Sequence, residues 1–142
     1  MTLYADTSSL VKLFVDESRS GEVRALLEGA ILVFTSDVAY PEARAALSRR
    51  RHDRSLPPRQ FTMARRSFEG KWADLVTIPA TTALCREAGD LAERYQLRGF
   101  DSIHLASFAE MLRHLQGRDD VAFSSFDDRL NRAARRVARS IR

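Results

Sequence analysis

The stretch FTSDVAYPEARAAL, residues 34–47, decides the fold. It carries the apolar run ILVFT (residues 31–35), which reads as a buried strand, straight into an amphipathic helix that ends near His52. Ser36 or Asp37 is placed to cap that helix, and Pro41 is tolerable because the first helical turn has no backbone acceptor to lose. The same turn holds one acid, Glu42. A strand that feeds a helix with a carboxylate at the junction is the unit to look for elsewhere in the chain.

It recurs. TLYA at 2–5 is a short strand ending at Asp6, after which SSLVKLF spaces Leu10, Val11, Leu13 and Phe14 as a helix face. A second helix is expected over Ser20 to Leu27, with Gly29 as its stop. Asp53 to Pro58 reads as a loop, and Pro58 starts a helix to about Trp72 with an apolar face of Phe61, Ala64, Phe68 and Trp72. LVTIP is a third strand; Thr81 or Thr82 opens a helix to about Tyr95. LRGF is a connection punctuated by Gly99, and Asp101 is expected to cap a long helix bearing Ile103, Leu105, Phe108, Met111, Leu112 and Leu115. VAFSS at 121–125 is a fourth strand, and Asp127 precedes a basic final helix, LNRAARRVA. Strands alternating with helices imply a mainly parallel sheet covered on both faces.

The 142 residues, 44% hydrophobic, fit one domain with a real core. The longest apolar runs are far too short to span a bilayer, and MTLYADTSS lacks the charged and apolar regions of an export signal, so a soluble, cytoplasmic protein is expected. Cys85 is the sole cysteine, which rules out an internal disulfide and thiolate zinc sites of the ribbon kind. The net charge of +4, from 23 cations and 19 acids, is too small by itself to mark a nucleic-acid binder. Its distribution says more. Only Lys12 and Lys71 are lysines, while arginines gather at Arg49, Arg50 and Arg51 and again at Arg129, Arg132, Arg135, Arg136, Arg139 and Arg142. Arginine forks onto phosphate oxygens and suits a polyanionic partner, though the same residues also make ordinary solvated helix faces.

Asp6, Glu42, Asp101 and Asp127 each sit where an acid favours a helix start, so capping and the helix dipole account for any one of them alone. Jointly they say more, because strand carboxyl ends and the following helix starts share one edge of a parallel sheet, where ligand crevices form. Carboxylates about 4 Å apart repel by about 4 kcal/mol per pair at an effective dielectric near 20, so such a cluster needs a cation or must hold protons. All-oxygen donors favour a hard ion, Mg²⁺ or Mn²⁺, which activates water and clamps phosphate oxygens. Phosphodiester hydrolysis is the chemistry inferred.

The segments ADTSSLVKLFVDE (5–17), YPEARAAL around Glu42, FDSIHLA (100–106) and FSSFDDRL (123–130), in this order, resemble the PIN-domain ribonucleases, and most closely the VapC-type toxins of toxin–antitoxin pairs. The likeness covers essentially the whole chain, and the Asp-Thr-Ser-Ser and Asp-Ser-Ile-His-Leu-Ala segments are its most specific parts. The resemblance implies a three-layer α/β/α sandwich, residues 1–142 as one nuclease domain, divalent-metal-dependent RNA cleavage, a homodimer and a cognate antitoxin. Position by position, Asp6, Glu42 and Asp101 match the family's first three metal-site acids. Its fourth acid follows the last strand, two residues after a small hydroxylated one, which selects Asp127 behind Ser125, with Asp128 open by one residue. Asp119 and Asp120 precede that strand and should lie at its far end. Thr7 or Ser8 is placed to orient Asp6, or equally to start a helix.

Weaker candidates surround these. His104, one turn beyond Asp101, is a candidate general base, but Ile103 and Leu105 beside it favour a partly buried structural histidine. His52 and His114 lack partners at zinc-ligand spacing, and no phosphate-cradling glycine loop is present. Asp16 and Glu17 resemble the family's acidic turn yet read more simply as a solvated turn, with Ser18 or Ser20 capping the next helix. Arg49 to Arg51 continue the helix of Glu42, in position to grip RNA beside the scissile bond. An antitoxin helix would need an apolar groove between the first helices and the Phe61 to Trp72 helix. The rival reading is a non-catalytic module that binds RNA or protein on the same fold. A receiver-like phosphoacceptor domain is disfavoured, because it needs a lysine near the last strand and residues 121–142 contain none.

Overall fold

The computed structural model describes residues 1–117 and 120–141. In chain order the elements are β1 (Thr2–Ala5), α1 (Thr7–Val11), α2 (Ser20–Glu28), β2 (Leu32–Ser36), α3 (Ala39–His52), α4 (Pro58–Trp72), β3 (Val76–Ile78), α5 (Thr82–Tyr95), α6 (Gly99–Leu115), β4 (Val121–Ser124) and α7 (Asp128–Ile141). The strands form a parallel sheet in the order β3-β2-β1-β4, with Leu3 opposite Val33 on one side and Ala122 on the other. Parallel strands need crossovers, and the helices supply them on both faces.

The alternation of β1 sorts the core into layers. Tyr4 points to the face covered by α5, α6 and α7, where Leu84, Leu91, Leu105, Met111, Leu130 and Val137 are buried with it. Leu3 and Ala5 point to the opposite face, beside Leu10, Val33 and Ala39. A further cluster there packs Val11, Ala43 and Leu47 against Ala64 and Phe68 of α4. The result is a three-layer α/β/α sandwich. The basic α7 buries Leu130, Ala133, Ala134 and Val137 and leaves Arg132, Arg135, Arg136 and Arg139 exposed, the division its spacing requires.

Three local expectations are corrected. The helix after Asp6 stops at Val11 and does not run on through Phe14; Leu13 and Phe14 continue as tight turns whose N–H groups donate to the carbonyls of Leu10 and Val11. Neither Ser36 nor Asp37 caps α3 by its side chain: Val38 is the cap, its N–H donating to Ser36 Oγ at 3.2 Å. Asp101 is not the cap of α6 either. Arg98 is, because Ser102 N–H already donates to the Arg98 carbonyl at 2.9 Å, which leaves Asp101 inside the first turn. Asp119 lies outside the described residues. Asp120 does sit at the far end of the sheet, its carbonyl accepting from Thr2 N–H at 2.8 Å.

Candidate functional site

Asp6, Glu42 and Asp127 follow strands β1, β2 and β4, while Asp101 lies in the first turn of α6 after the connection from α5. Asp6, Glu42, Asp101 and Asp127 all line one cavity of about 310 Å³, together with Thr7 and His104. The four acids of the sequence reading are therefore brought to one place, although by different supports.

Asp6 is the buried one, 3% exposed. Its Oδ1 accepts from Ser8 Oγ at 2.7 Å and from Ser9 N–H at 3.0 Å, so it also caps α1. Burial pushes its pKa up, against the opposing effect of the His104 charge and of the Ser125, Ser8 and Ser9 hydrogen bonds. Glu42 goes the other way. Burial again acts to raise it, but hydrogen bonds from His104 and Thr7 and the imidazole's charge outweigh burial and hold the carboxyl below its ordinary value. Thr7 Oγ1 donates to Glu42 Oε1 at 2.6 Å, and His104 Nε2 stands 2.9 Å from the same oxygen.

His104 is 1% exposed and its Nδ1 lies 2.9 Å from the Tyr4 hydroxyl. An ionised Glu42 only accepts, so Nε2 must carry the proton between them, and that nitrogen is closed to a base role. His104 is more fully enclosed than the partly buried position expected of it, and its Nε2 lies against a site carboxylate. Asp101 and Asp127 face each other across Arg98, whose Nε is 3.1 Å from Asp101 Oδ2 and whose Nη2 is 3.7 Å from Asp127 Oδ2. Asp127 Oδ1 caps α7 by accepting from Leu130 N–H at 2.8 Å. Asp128 is exposed and does not line the cavity, whereas Asp127 does.

In chemical type the lining fits a hard divalent ion, with carboxylate and hydroxyl oxygens and no thiolate. The acids are nevertheless spread: among the described residues, no three of the His, Cys, Asp and Glu side chains stand close enough to form a ready metal cluster. Arg98 supplies the positive charge between the outer pair.

A second cavity, about 690 Å³, adjoins the first and shares Thr7, Ser8, Glu42 and Phe126 with it. Here the sequence reading of Glu17 as a solvated turn residue is corrected. Its carboxylate accepts from Lys12 Nζ at 3.3 Å and is paired with Arg50, so two cations share it, and although burial acts to raise its pKa these partners lower it overall. Ser20 receives the Glu17 N–H at 3.1 Å, and Arg19, not Ser18 or Ser20, is the cap of α2. The arginine run divides, Arg49 and Arg50 lining this cavity while Arg51 lies over the Phe61 ring at 5.1 Å. Sequence reasoning missed Tyr4 and Arg98. A tyrosine in a buried strand, whose hydroxyl must find a partner, and an arginine three residues before Asp101 were the available signals.

A PIN domain profile matches residues 3–136. The chain belongs to the PIN-domain family. Within that family its relatives are VapC proteins: Ribonuclease VapC45 and Ribonuclease VapC49 of Mycobacterium tuberculosis (strains CDC 1551 and H37Rv) are each 37% identical over 105 residues, 74% of this chain and 73% of the relative. Solved structures share the PIN fold. Mycobacterium tuberculosis VapC20, a sarcin-ricin loop cleaving toxin, aligns with a TM-score of 0.69 at 19% identity, over 92% of this chain and 94% of its own. VapBC2 of Rickettsia felis, bound to a DNA fragment from its promoter, aligns with a TM-score of 0.56 at 10% identity, over 89% and 100%. Among the described residues of this PIN chain no helix is long and apolar enough to cross a membrane.

Proposed function

We propose that this PIN chain, residues 1–142 acting as one nuclease domain, is a divalent-metal-dependent endoribonuclease and the toxin of a toxin–antitoxin pair. The observation that carries the reading is the gathering of Asp6, Glu42, Asp101 and Asp127 on one cavity in a chain related to VapC ribonucleases. When bound, Mg²⁺ or Mn²⁺ supplies Lewis acidity toward a phosphate oxygen and toward the attacking water. Asp6, Glu42, Asp101 and Asp127 are the residues that would hold it. Thr7 and His104 fix Glu42 in its ionised form by donating to Oε1, and Ser8 and the Ser9 N–H fix the rotamer of Asp6. Arg98, held over Asp101 and Asp127, is free to turn toward a phosphate oxygen because its side chain is 83% exposed. Hydrolysis leaves a 3′ hydroxyl and a 5′ phosphate with no covalent enzyme intermediate.

The partner surfaces follow the same reading. A groove of about 450 Å³ lies between α2 and α4, with Leu13, Phe14 and Leu27 flanked by the charged Arg24, Glu28, Lys71 and Asp74, where an amphipathic antitoxin helix would dock. A homodimer in the cytoplasm completes the assignment. One observation favours the rival, a module that binds RNA without cutting it: Arg98 already pairs with two of the acids. The deciding experiment compares cleavage of a mixed RNA pool by the purified chain, Asp6→Asn and Asp101→Asn, with Mg²⁺, with Mn²⁺ and with chelator. Cleavage by the unaltered chain alone, abolished by chelator, is expected. Equal cleavage by both variants refutes the residue assignment, cleavage in chelator refutes the metal, and RNA retention without cleavage favours the binding module.

A further inference from the structure

The hydroxyl of Tyr4 has no part in the nuclease reading, yet it is tied to the site. Tyr4 is fully buried in β1, an interior strand, its ring stacked on Phe123 at 5.5 Å between centroids and set edge-on to Phe108 at 5.9 Å. These contacts fix the ring, and with it the position of the hydroxyl. That oxygen lies 2.9 Å from Nδ1 of His104. The other ring nitrogen, Nε2, lies 2.9 Å from Glu42 Oε1 and 3.1 Å from Thr7 Oγ1. A chain of hydrogen bonds therefore runs from the middle of the sheet, through α6, to a carboxylate on α3. Its far end is asymmetric. Thr7 and His104 both reach Oε1, and among the described residues no donor reaches Oε2, so Oε2 is the Glu42 oxygen left for an ion.

We propose that Tyr4 is a positioning residue of the acid site, which by holding His104 Nδ1 keeps Nε2–H on Glu42 Oε1 and reserves Oε2 for the divalent ion. The proposal rests on the nuclease reading and deepens it. An imidazole tied at one nitrogen can swing and let Nε2 leave its acceptor; tied at both, it cannot move without losing two hydrogen bonds. The Glu42 side chain is 25% exposed on the cavity wall, where packing alone does not hold a carboxylate, whereas Tyr4 is clamped in the core. Packing does not account for the hydroxyl, because a phenylalanine would make every one of the ring contacts. Groups that orient a metal-binding side chain from behind govern affinity by about ten- to a hundredfold without touching the ion.

The test compares the unaltered chain with Tyr4→Phe and with Val137→Ala, a truncation on α7 within the same apolar cluster but outside the hydrogen-bonded chain. Three quantities are read: Tm in chelator, Mn²⁺ affinity by calorimetric titration, and the protonated Nε2 signal of His104 in nitrogen-15 spectra of the metal-free, histidine-labelled protein. Both variants should lower Tm. Only Tyr4→Phe should weaken Mn²⁺ binding, by about tenfold, and only Tyr4→Phe should shift the Nε2 signal. Undiminished Mn²⁺ affinity in Tyr4→Phe, or an equal loss in Val137→Ala, reduces Tyr4 to a core residue and overturns the proposal. So does a Nε2 signal that Tyr4→Phe leaves unmoved, since Tyr4 then does not act through His104, and so does an unaltered chain whose Nε2 bears no proton. An unaltered chain that binds no Mn²⁺ and cuts no RNA defeats the nuclease reading and the proposal with it, whereas Mn²⁺ binding and cleavage that persist unchanged in Tyr4→Phe defeat the proposal alone.

Discussion

Asp6 is almost inaccessible to water, and its carboxyl is pushed above the ordinary 3.8 chiefly by that burial. For a carboxylate with a raised folded-state pKa, the native state binds more protons than the unfolded chain in the interval between the two values. Stability there falls as pH rises, and the penalty is complete above the folded pKa. In the absence of metal, Asp6→Asn is therefore expected to stabilise the protein at pH 7 by on the order of 1 kcal/mol, about 3 °C in Tm, since the amide oxygen can still accept from Ser8 and Ser9. The gain should vanish as the pH is lowered below about 4, where both states hold the proton. Thermal melts of the two proteins in chelator across that range check it, and a variant less stable than the parent at pH 7 would mean that the ionised carboxylate is favoured where it lies. Glu42 is supported differently, by Thr7 and His104, and its lowered pKa makes its contribution present at neutral pH and lost as the pH falls through the folded value. Both acids were legible from the sequence, because each sits at a strand end or in a first turn. Their supports were not. Tyr4 and His104 are 100 residues apart in the chain, and no local pattern announces a hydrogen bond of that range.

At the scale of elements the recurrent unit is a parallel strand, a short junction and a helix, and the periodicities of two and 3.6 placed nearly all of them. What they misplaced were ends. Helix α1 stops early because the chain must turn at Lys12 toward Glu17, and α6 starts early because the Arg98 carbonyl is already an acceptor. Caps are settled by the geometry of arrival from the neighbouring element, which Ser36, Asp37 and Asp101 do not reveal. Asp127 is the instructive exception, a true cap that also faces the cavity. Its two roles separate by substitution. Asp127→Ala should destabilise the fold by about 1 kcal/mol through the lost cap, whereas Asp127→Ser keeps a capping oxygen and should cost only a few tenths. If Asp127 is the fourth acid, both should lose RNA cleavage by about a hundredfold, while Asp128→Ala stays near parental activity. Urea melts paired with initial cleavage rates decide it, and full activity in Asp127→Ser would move the fourth role to another residue.

For the molecule as a whole, the strand order β3-β2-β1-β4 puts β1 in the interior of the sheet, so the acid that follows it, Asp6, is flanked by the junctions of β2 and β4. Folding therefore collects carboxylates that the unfolded chain keeps apart, and Arg98 serves only Asp101 and Asp127 among them. The alternation of strands and helices made this convergence readable in advance, whereas Arg98 as a built-in counter-charge depends on where one exposed side chain lands. The convergence has a consequence for stability that needs no substrate. An ion that binds only the folded state raises stability by RT ln(1 + [L]/Kd), about 2.7 kcal/mol at a hundred times Kd, which is about 8 °C for a chain of this size. Titrating Mg²⁺ at constant ionic strength should raise Tm progressively, and Asp6→Asn or Asp101→Asn should flatten the rise. Arg98→Gln should lower the metal-free Tm and steepen the response, because the cation then replaces a charge the protein no longer supplies. Na⁺ at matched ionic strength screens surface charge without entering the cavity and should do little. An equal rise with Na⁺, or an unaltered Mg²⁺ response in both Asp variants, would mean that the gathered carboxylates do not bind the ion.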